Sequence, residues 1–120
     1  MVKACSIAMK DYPLLNSIVD NEVDVDGYIQ RYVIKKAHNF SIAIDSKDGL
    51  KVPNVKDVQT KSILQIDAEI KKLIEKANSG GLTAEDFTGA TFGVTSTGNI
   101  GGRYLLPFIS RPKVAIIGFG

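Results

Sequence analysis

The 120-residue chain has one cysteine, one histidine, little net charge and no long apolar run. Each shortage removes a class of protein. Cys5 has no second sulfur to pair with, so there is no disulfide framework. It sits in an apolar, helix-like stretch and reads as a buried, reduced thiol, which points to a reducing compartment. No apolar run reaches the length of a membrane span. The N-terminal stretch "MVKACSIAMKDYP" is broken by charges and reads neither as a signal peptide nor as an Arg- and Ser-rich transit segment. The net charge is +2, and the lysines are dispersed among carboxylates without interleaved aromatics. Nucleic acid is therefore not an expected partner. No metal-ligating constellation is present. The length allows one domain at most, with the apolar and charged fractions of an ordinary globular protein.

What is there alternates between helix and strand signals. "VKACSIAMKDYP" reads as a helix ended by Pro13, with Ala4, Ile7 and Ala8 on one face and Val2 and Cys5 flanking it. "YIQRYVIKKAHNFSIAID" is rich in β-branched and aromatic residues and reads as strand, with Phe40, Ile42 and Ile44 facing one way. Asp48-Gly49 marks a tight turn. Pro53 in the following "LKVPNV" implies a sheet edge or a bulge. "SILQIDAEIKKLIEKAN" is the clearest helix. Ile63, Ile66, Ile70, Leu73, Ile74 and Ala77 fall on one stripe, Asp67 and Lys71 pair on the wet side, and Gly80-Gly81 stops it. "LTAED" opens a short helix with Thr83 as cap and Asp86 in the first turn. "ATFGVT" reads as a strand, the glycine-rich segment after it as a loop, and "KVAIIGFG" as a buried strand. The sum is an α/β or α+β domain of mixed strand order, without repeats.

Two glycine-rich stretches invite a phosphate reading. "VAIIGFG" resembles the first strand and glycines of a dinucleotide-binding fingerprint, but no third glycine, helix or later acidic residue follows. "TFGVTSTGNIGG" lacks the Lys-Ser or Lys-Thr of a phosphate loop, because Gly102 is followed by Arg103. It does put hydroxyls at a strand end beside a permissive backbone, where Thr95 could stabilise an oxyanion. On composition alone, however, the segment reads as a turn.

Four segments in order decide between these readings: "KACSIAMKDYPLLN", "HNFSIAIDSKDGLKVPNVKDVQ", "LTAEDFTGATFGVTSTGNIGG" and "RPKVAIIGFG". Together they resemble the catalytic domain of dihydrolipoamide acyltransferases, the core components of 2-oxoacid dehydrogenase complexes, and "VPNVKDVQ" resembles the branched-chain type. The resemblance spans the chain. It implies an α/β fold like chloramphenicol acetyltransferase, a mixed sheet flanked by helices, here as an incomplete domain. It also implies transfer of an acyl group between a dihydrolipoyl thiol and coenzyme A, the lipoyl group being carried on a domain absent from these residues. The family's channel lies between subunits of a trimer that builds a larger core with the other subunits of the complex. The location is the mitochondrial matrix for a eukaryotic protein, or the cytoplasm for a bacterial one.

Matched residue by residue, the family's oxyanion-binding serine falls on Thr95. Threonine keeps the donor hydroxyl, with fewer rotamers. Ser96, Asn99, Asp45 and Gly120 match positions that approach coenzyme A. The motif D-H-R-x-x-D-G, whose histidine deprotonates the attacking thiol, does not occur. The single histidine, His38, opens the "HNFSIAID" strand, where the family carries a non-catalytic residue. Residues 1–120 therefore read as a partial catalytic domain without lipoyl or subunit-binding domains, inactive alone for want of a base. The alternative is a structural or assembly piece of the same fold without catalysis.

Overall fold

A computed structural model describes residues 1–19, 22–98, 101 and 104–120. Helix α1 (Val2–Ala8) leads through a 3-10 turn (Pro13–Asn16) into strand β1 (Ser17–Val19). Strand β2 (Tyr32–Ile34) pairs with β1 antiparallel, in the register Ile18 to Val33. Then come β3 (Phe40–Ile42), β4 (Ile44–Ser46), β5 (Gly49–Lys51) and β6 (Asn54–Val55). Helix α2 (Ile63–Ser79) and the short α3 (Ala84–Phe87) precede β7 (Phe92–Ser96) and β8 (Ile116–Phe119).

The main sheet has the order β6-β3-β7-β8. β3, β7 and β8 run parallel, and β6 is antiparallel to β3. The expected mixed sheet is thus present. Pro53 sits where a strand must break: β4 and β5 form a separate two-stranded ribbon, and β6 resumes as the edge of the main sheet. Proline cannot donate to a ladder, so a break or an edge is its place in a sheet.

Strand alternation sorts the sheet into two faces. Phe40, Val55, Phe92 and Val94 point to one face and are buried there with Ile66, Leu73 and Ala77 of α2 and Met9 beyond α1. The rings of Phe40 and Phe92 are tilted at 55° with centroids 5.3 Å apart, a favoured aromatic geometry. Ser41, Asn54 and Gly93 point to the other face.

Helix α2 is set by its ends. Ser62 Oγ accepts from Gln65 N–H at 3.2 Å, and Ser62 N–H donates to Gln65 Oε1 at 2.8 Å. This reciprocal box satisfies two N-terminal donors. Gly80 closes the helix at φ 72°, a conformation that L side chains avoid. Asp67 and Lys71 pair at 2.7 Å on the solvent side, as expected. Asp86 accepts from Thr83 N–H at 2.9 Å and from Lys76 Nζ at 3.0 Å. Those contacts, the Thr83 N–H foremost, hold its carboxyl below the usual range.

Four expectations need correction. The face of α1 with Ala4, Ile7 and Ala8 lies in solvent. The helix is rotated so that Ser6 and Met9 are buried and Val2 and Cys5 pack beside the core. A buried hydrogen bond between Ser6 and His38 holds that rotation, and the Val2, Cys5, Met9 spacing is itself helical. Cys5 is half-buried rather than buried. On α2 the buried stripe is narrower than expected, since Ile63 is 71% and Ile74 39% exposed. Strand β8 is half-buried, because it forms the edge of the four-stranded sheet instead of its interior.

Candidate active site

The parallel register brings one end of three strands together. Ile42 pairs with Val94, Thr95 with Gly118, and Ser96 with Phe119. Beyond the last pairs, Ala43 N–H donates to Val94 C=O at 3.1 Å, and Thr97 N–H to Phe119 C=O at 2.9 Å. The carboxyl ends of β3, β7 and β8 therefore stand side by side. In open sheets with parallel strands this end is where ligands bind. Thr95, Ser96 and Gly120 lie there directly. Asp45 follows two residues after Ala43, in β4, paired across the ribbon with Leu50. Asn99 lies outside the described residues.

Thr95 is half-buried, and Ser96, Asp45 and Gly120 are exposed. By alternation Thr95 shares a face with Gly93 and Ser41, away from the Phe40–Phe92 core. No group among the described residues hydrogen-bonds its hydroxyl. Ser96 Oγ differs: it accepts from Gly98 N–H at 3.3 Å and folds the loop back on the strand end. Strand β7 runs through Ser96, one residue further than "ATFGVT" implied.

Next to Thr95 on the neighbouring strand stands Gly118, which has no side chain. A Cβ on Gly118 would stand 2.6 Å from Leu105 Cδ2 and 3.2 Å from its Cγ. The return segment thus lies directly on this strand, and Leu105 closes one side of the space beside Thr95. Leu105 carried no signal in the sequence, whereas Gly118 did. The glycine in "IIGFG" was the available signal, and it marks close packing of chain on chain.

His38 is 8% exposed, with Nδ1 2.7 Å from Ser6 Oγ. Its backbone is also tied down: its C=O accepts from Val58 N–H at 2.9 Å, and its N–H donates to Gln59 Oε1 at 2.8 Å. Burial pushes its pKa below the ordinary histidine value, hydrogen bonding to Ser6 opposes this, and Lys10 and Lys3 add to the lowering. It joins α1 to the entry of β3, as a structural residue does. A second polar knot lies nearby: Thr91 Oγ1 donates to Asn16 Oδ1 at 2.6 Å and accepts from Asn39 N–H at 3.0 Å. Nothing in the residue pattern around Asn16 foretold it. Among the described residues no group of three or more metal-ligating side chains forms, and no helix is long and apolar enough to cross a membrane.

Comparison with known proteins bears on this arrangement over the whole chain. Residues 1–120 match the family model of the 2-oxoacid dehydrogenases acyltransferase catalytic domain. The chain is 40% identical over 119 residues to the Bos taurus lipoamide acyltransferase component of the branched-chain alpha-keto acid dehydrogenase complex, covering 99% of this chain and 23% of that protein. It is 43% identical over 120 residues to the Staphylococcus aureus dihydrolipoyllysine-residue acetyltransferase component of pyruvate dehydrogenase complex, covering 26% of that protein. Among solved structures, Azotobacter vinelandii dihydrolipoamide acetyltransferase superposes with TM-score 0.87 at 39% identity, covering 98% of this chain and 46% of that one. A truncated catalytic core of the 2-oxoacid dehydrogenase multienzyme complex from Thermoplasma acidophilum superposes with TM-score 0.85 at 36% identity, covering 98% and 52%. The chain thus spans about a quarter of the curated relatives and about half of the solved chains. With a matching family model over its full length and a mixed sheet of the same fold, the chain belongs to the 2-oxoacid dehydrogenase acyltransferase catalytic-domain family.

Proposed function

We propose that the chain is part of a core acyltransferase of a 2-oxoacid dehydrogenase complex, carrying the oxyanion side of its active site. The observation that supports this most is the Thr95 hydroxyl: half-buried, without a hydrogen-bond partner among the described residues, at the carboxyl end of β7. The reaction is acyl transfer from the dihydrolipoyl thioester to the thiol of coenzyme A. The coenzyme A sulfur, losing its proton to a base, attacks the thioester carbonyl. The carbonyl oxygen becomes an oxyanion, and Thr95 O–H donates to it. Collapse of the intermediate breaks the bond to the dihydrolipoyl sulfur, which leaves as the thiol after taking up a proton. A donor fixed where charge develops stabilises the transition state more than the ground state.

Ser96, Asn99, Asp45 and Gly120 are assigned to the coenzyme A side of the same channel. The exposed strand ends leave three of them, Ser96, Asp45 and Gly120, open to a ligand. The base is not His38, which is buried in its bond to Ser6. These 120 residues hold no other histidine and no D-H-R-x-x-D-G, so the proposal places the base on polypeptide outside them and makes the 120-residue chain inactive by itself. The acting unit is then a trimer within a larger core, in the mitochondrial matrix or the bacterial cytoplasm according to source. A non-catalytic assembly role is the second reading, favoured by the same lack of a base.

The test is Thr95→Val in an enzyme that joins these residues to a histidine-bearing remainder of the domain. The expected result is a fall in kcat of roughly 10- to 1000-fold with little change in the KM for coenzyme A. Thr95→Ser should keep most activity. A folded Thr95→Val enzyme with normal kcat refutes the oxyanion role. Failure of the joined wild-type enzyme to turn over leaves the assembly reading in its place.

A further inference from the structure

A cavity of about 580 Å³ opens on the sheet face opposite α2. Its size is that of a small-molecule site. Lys35, Arg111 and Lys113 line it, and among the described residues no carboxylate does. None of the three cations has a hydrogen bond or ion pair from its side chain among the described residues. Strand β1 stands between two of them: Ile18 is bridged to Lys113 on one side and pairs with Val33 on the other. Val19 N–H donates to Pro112 C=O at 3.0 Å, and Lys35 N–H donates to Asn16 C=O at 2.9 Å. The ladder therefore fixes the backbone of Lys35 and of the Arg111–Lys113 segment on opposite flanks of one opening.

The floor is polar and buried. Ser41, Asn54 and Thr91 are 3%, 5% and 3% exposed. Ser41 Oγ donates to Phe92 C=O at 3.3 Å, and Asn54 Nδ2 donates to Thr88 C=O at 2.9 Å. Asn54 Oδ1 accepts from nothing among the described residues and is shut off from the lumen. Turning the amide over does not help, because it would set oxygen against the Thr88 carbonyl. Buried acceptors are rarely left without a donor.

We propose that this cavity binds a small phosphate ester. The phosphate dianion is held by Lys35, Arg111 and Lys113. Arginine's planar fork suits phosphate oxygens, and three cations around one opening favour a ligand with more than one negative charge. Burial already pushes the Lys113 ammonium pKa down, so a bound dianion raises it again. The site stands on the opposite end of β7 from Thr95 and does not depend on the acyltransferase reading.

The experiment is an NMR titration of the 120-residue chain with glycerol 3-phosphate at near-physiological salt. Saturable shifts are expected at Thr91, at the Asn54 side-chain amide and at the Lys113 ammonium, whose pKa rises on binding. Lys113→Met should weaken binding about tenfold, the loss of one charge-assisted contact. Lys72→Met removes the same charge from exposed α2 and should leave the affinity unchanged. The proposal falls if no saturable shift occurs, if Lys72→Met weakens binding as much as Lys113→Met, or if only acidic polypeptide and not the ester moves these signals.

Discussion

Gly93 offers the sharpest test of the packing behind the candidate site. It lies two residues before Thr95 on β7, paired with Ile116 of β8. A Cβ at position 93 would stand 2.8 Å from Ile116 Cγ1 and 3.0 Å from both its Cβ and Cδ1. The Cβ is fixed to the strand, and the branched side chain has one strongly preferred rotamer, so the clash cannot be rotated away. Two effects oppose each other in Gly93→Ala. Relieving glycine's entropy gains about 0.5–1 kcal/mol, whereas overpacking costs about 1–3 kcal/mol. The clash wins, for a net loss of about 1–2 kcal/mol, or roughly 4–8 °C in Tm for a domain of this size. Gly98→Ala is the control, because its Cβ would meet only Ser96 Oγ at 3.5 Å. Urea unfolding followed by circular dichroism measures both. Ile116→Ala in the Gly93→Ala background should recover part of the loss. If Gly93→Ala matches the wild type or stabilises it, β7 and β8 do not pack as described, and the placement of Thr95 beside Gly118 fails with them.

Two further outcomes follow from local geometry. Ser62→Ala removes the capping box of α2 and should cost about 1 kcal/mol, read as a lower urea midpoint with an unchanged slope. The His38 pKa is lowered in the fold, so below its unfolded value of about 6.5 the unfolded chain binds the proton more readily. Stability should therefore be level above that pH and fall as pH drops below it. In His38→Gln the fall below about pH 6.5 should shrink, and an unchanged pH profile would show that His38 is not responsible.

The elements with strong local signals were legible in the sequence. Helix α2 carries its own start in Ser62 and Gln65 and its own stop in Gly80, and Asp48-Gly49 fixes the turn between β4 and β5. The ordered motifs carried the family. What failed was information held by other segments. The rotation of α1 is decided by His38, 32 residues away from Ser6, and an apolar count along the helix cannot see that partner. The edge position of β8 depends on strand order, which its run of apolar residues does not encode. Among the site residues, Thr95 and Ser96 stand out as hydroxyls at a strand end. Leu105, Gly118 and the cations around Asn54 become neighbours only through the return segment and the parallel register.

That register also dictates when the chain can fold. The Phe40–Phe92 pair at the centre of the core closes a loop of about fifty residues, as does the Asn39 to Thr91 bond, with a separation of 52. The entropy of closing such a loop is lost before the contact rewards it. Helix α2 lies wholly inside the loop and is stabilised at both ends by its own neighbours, so it can form first and shorten the search. During synthesis, β3 leaves the ribosome long before its parallel partner β7 exists, and until then one of its two edges has no strand to pair with. Until Phe92 follows, Phe40 and Ile42 are open to any strand that arrives sooner, and this interval is where a chaperone would have the most effect on yield.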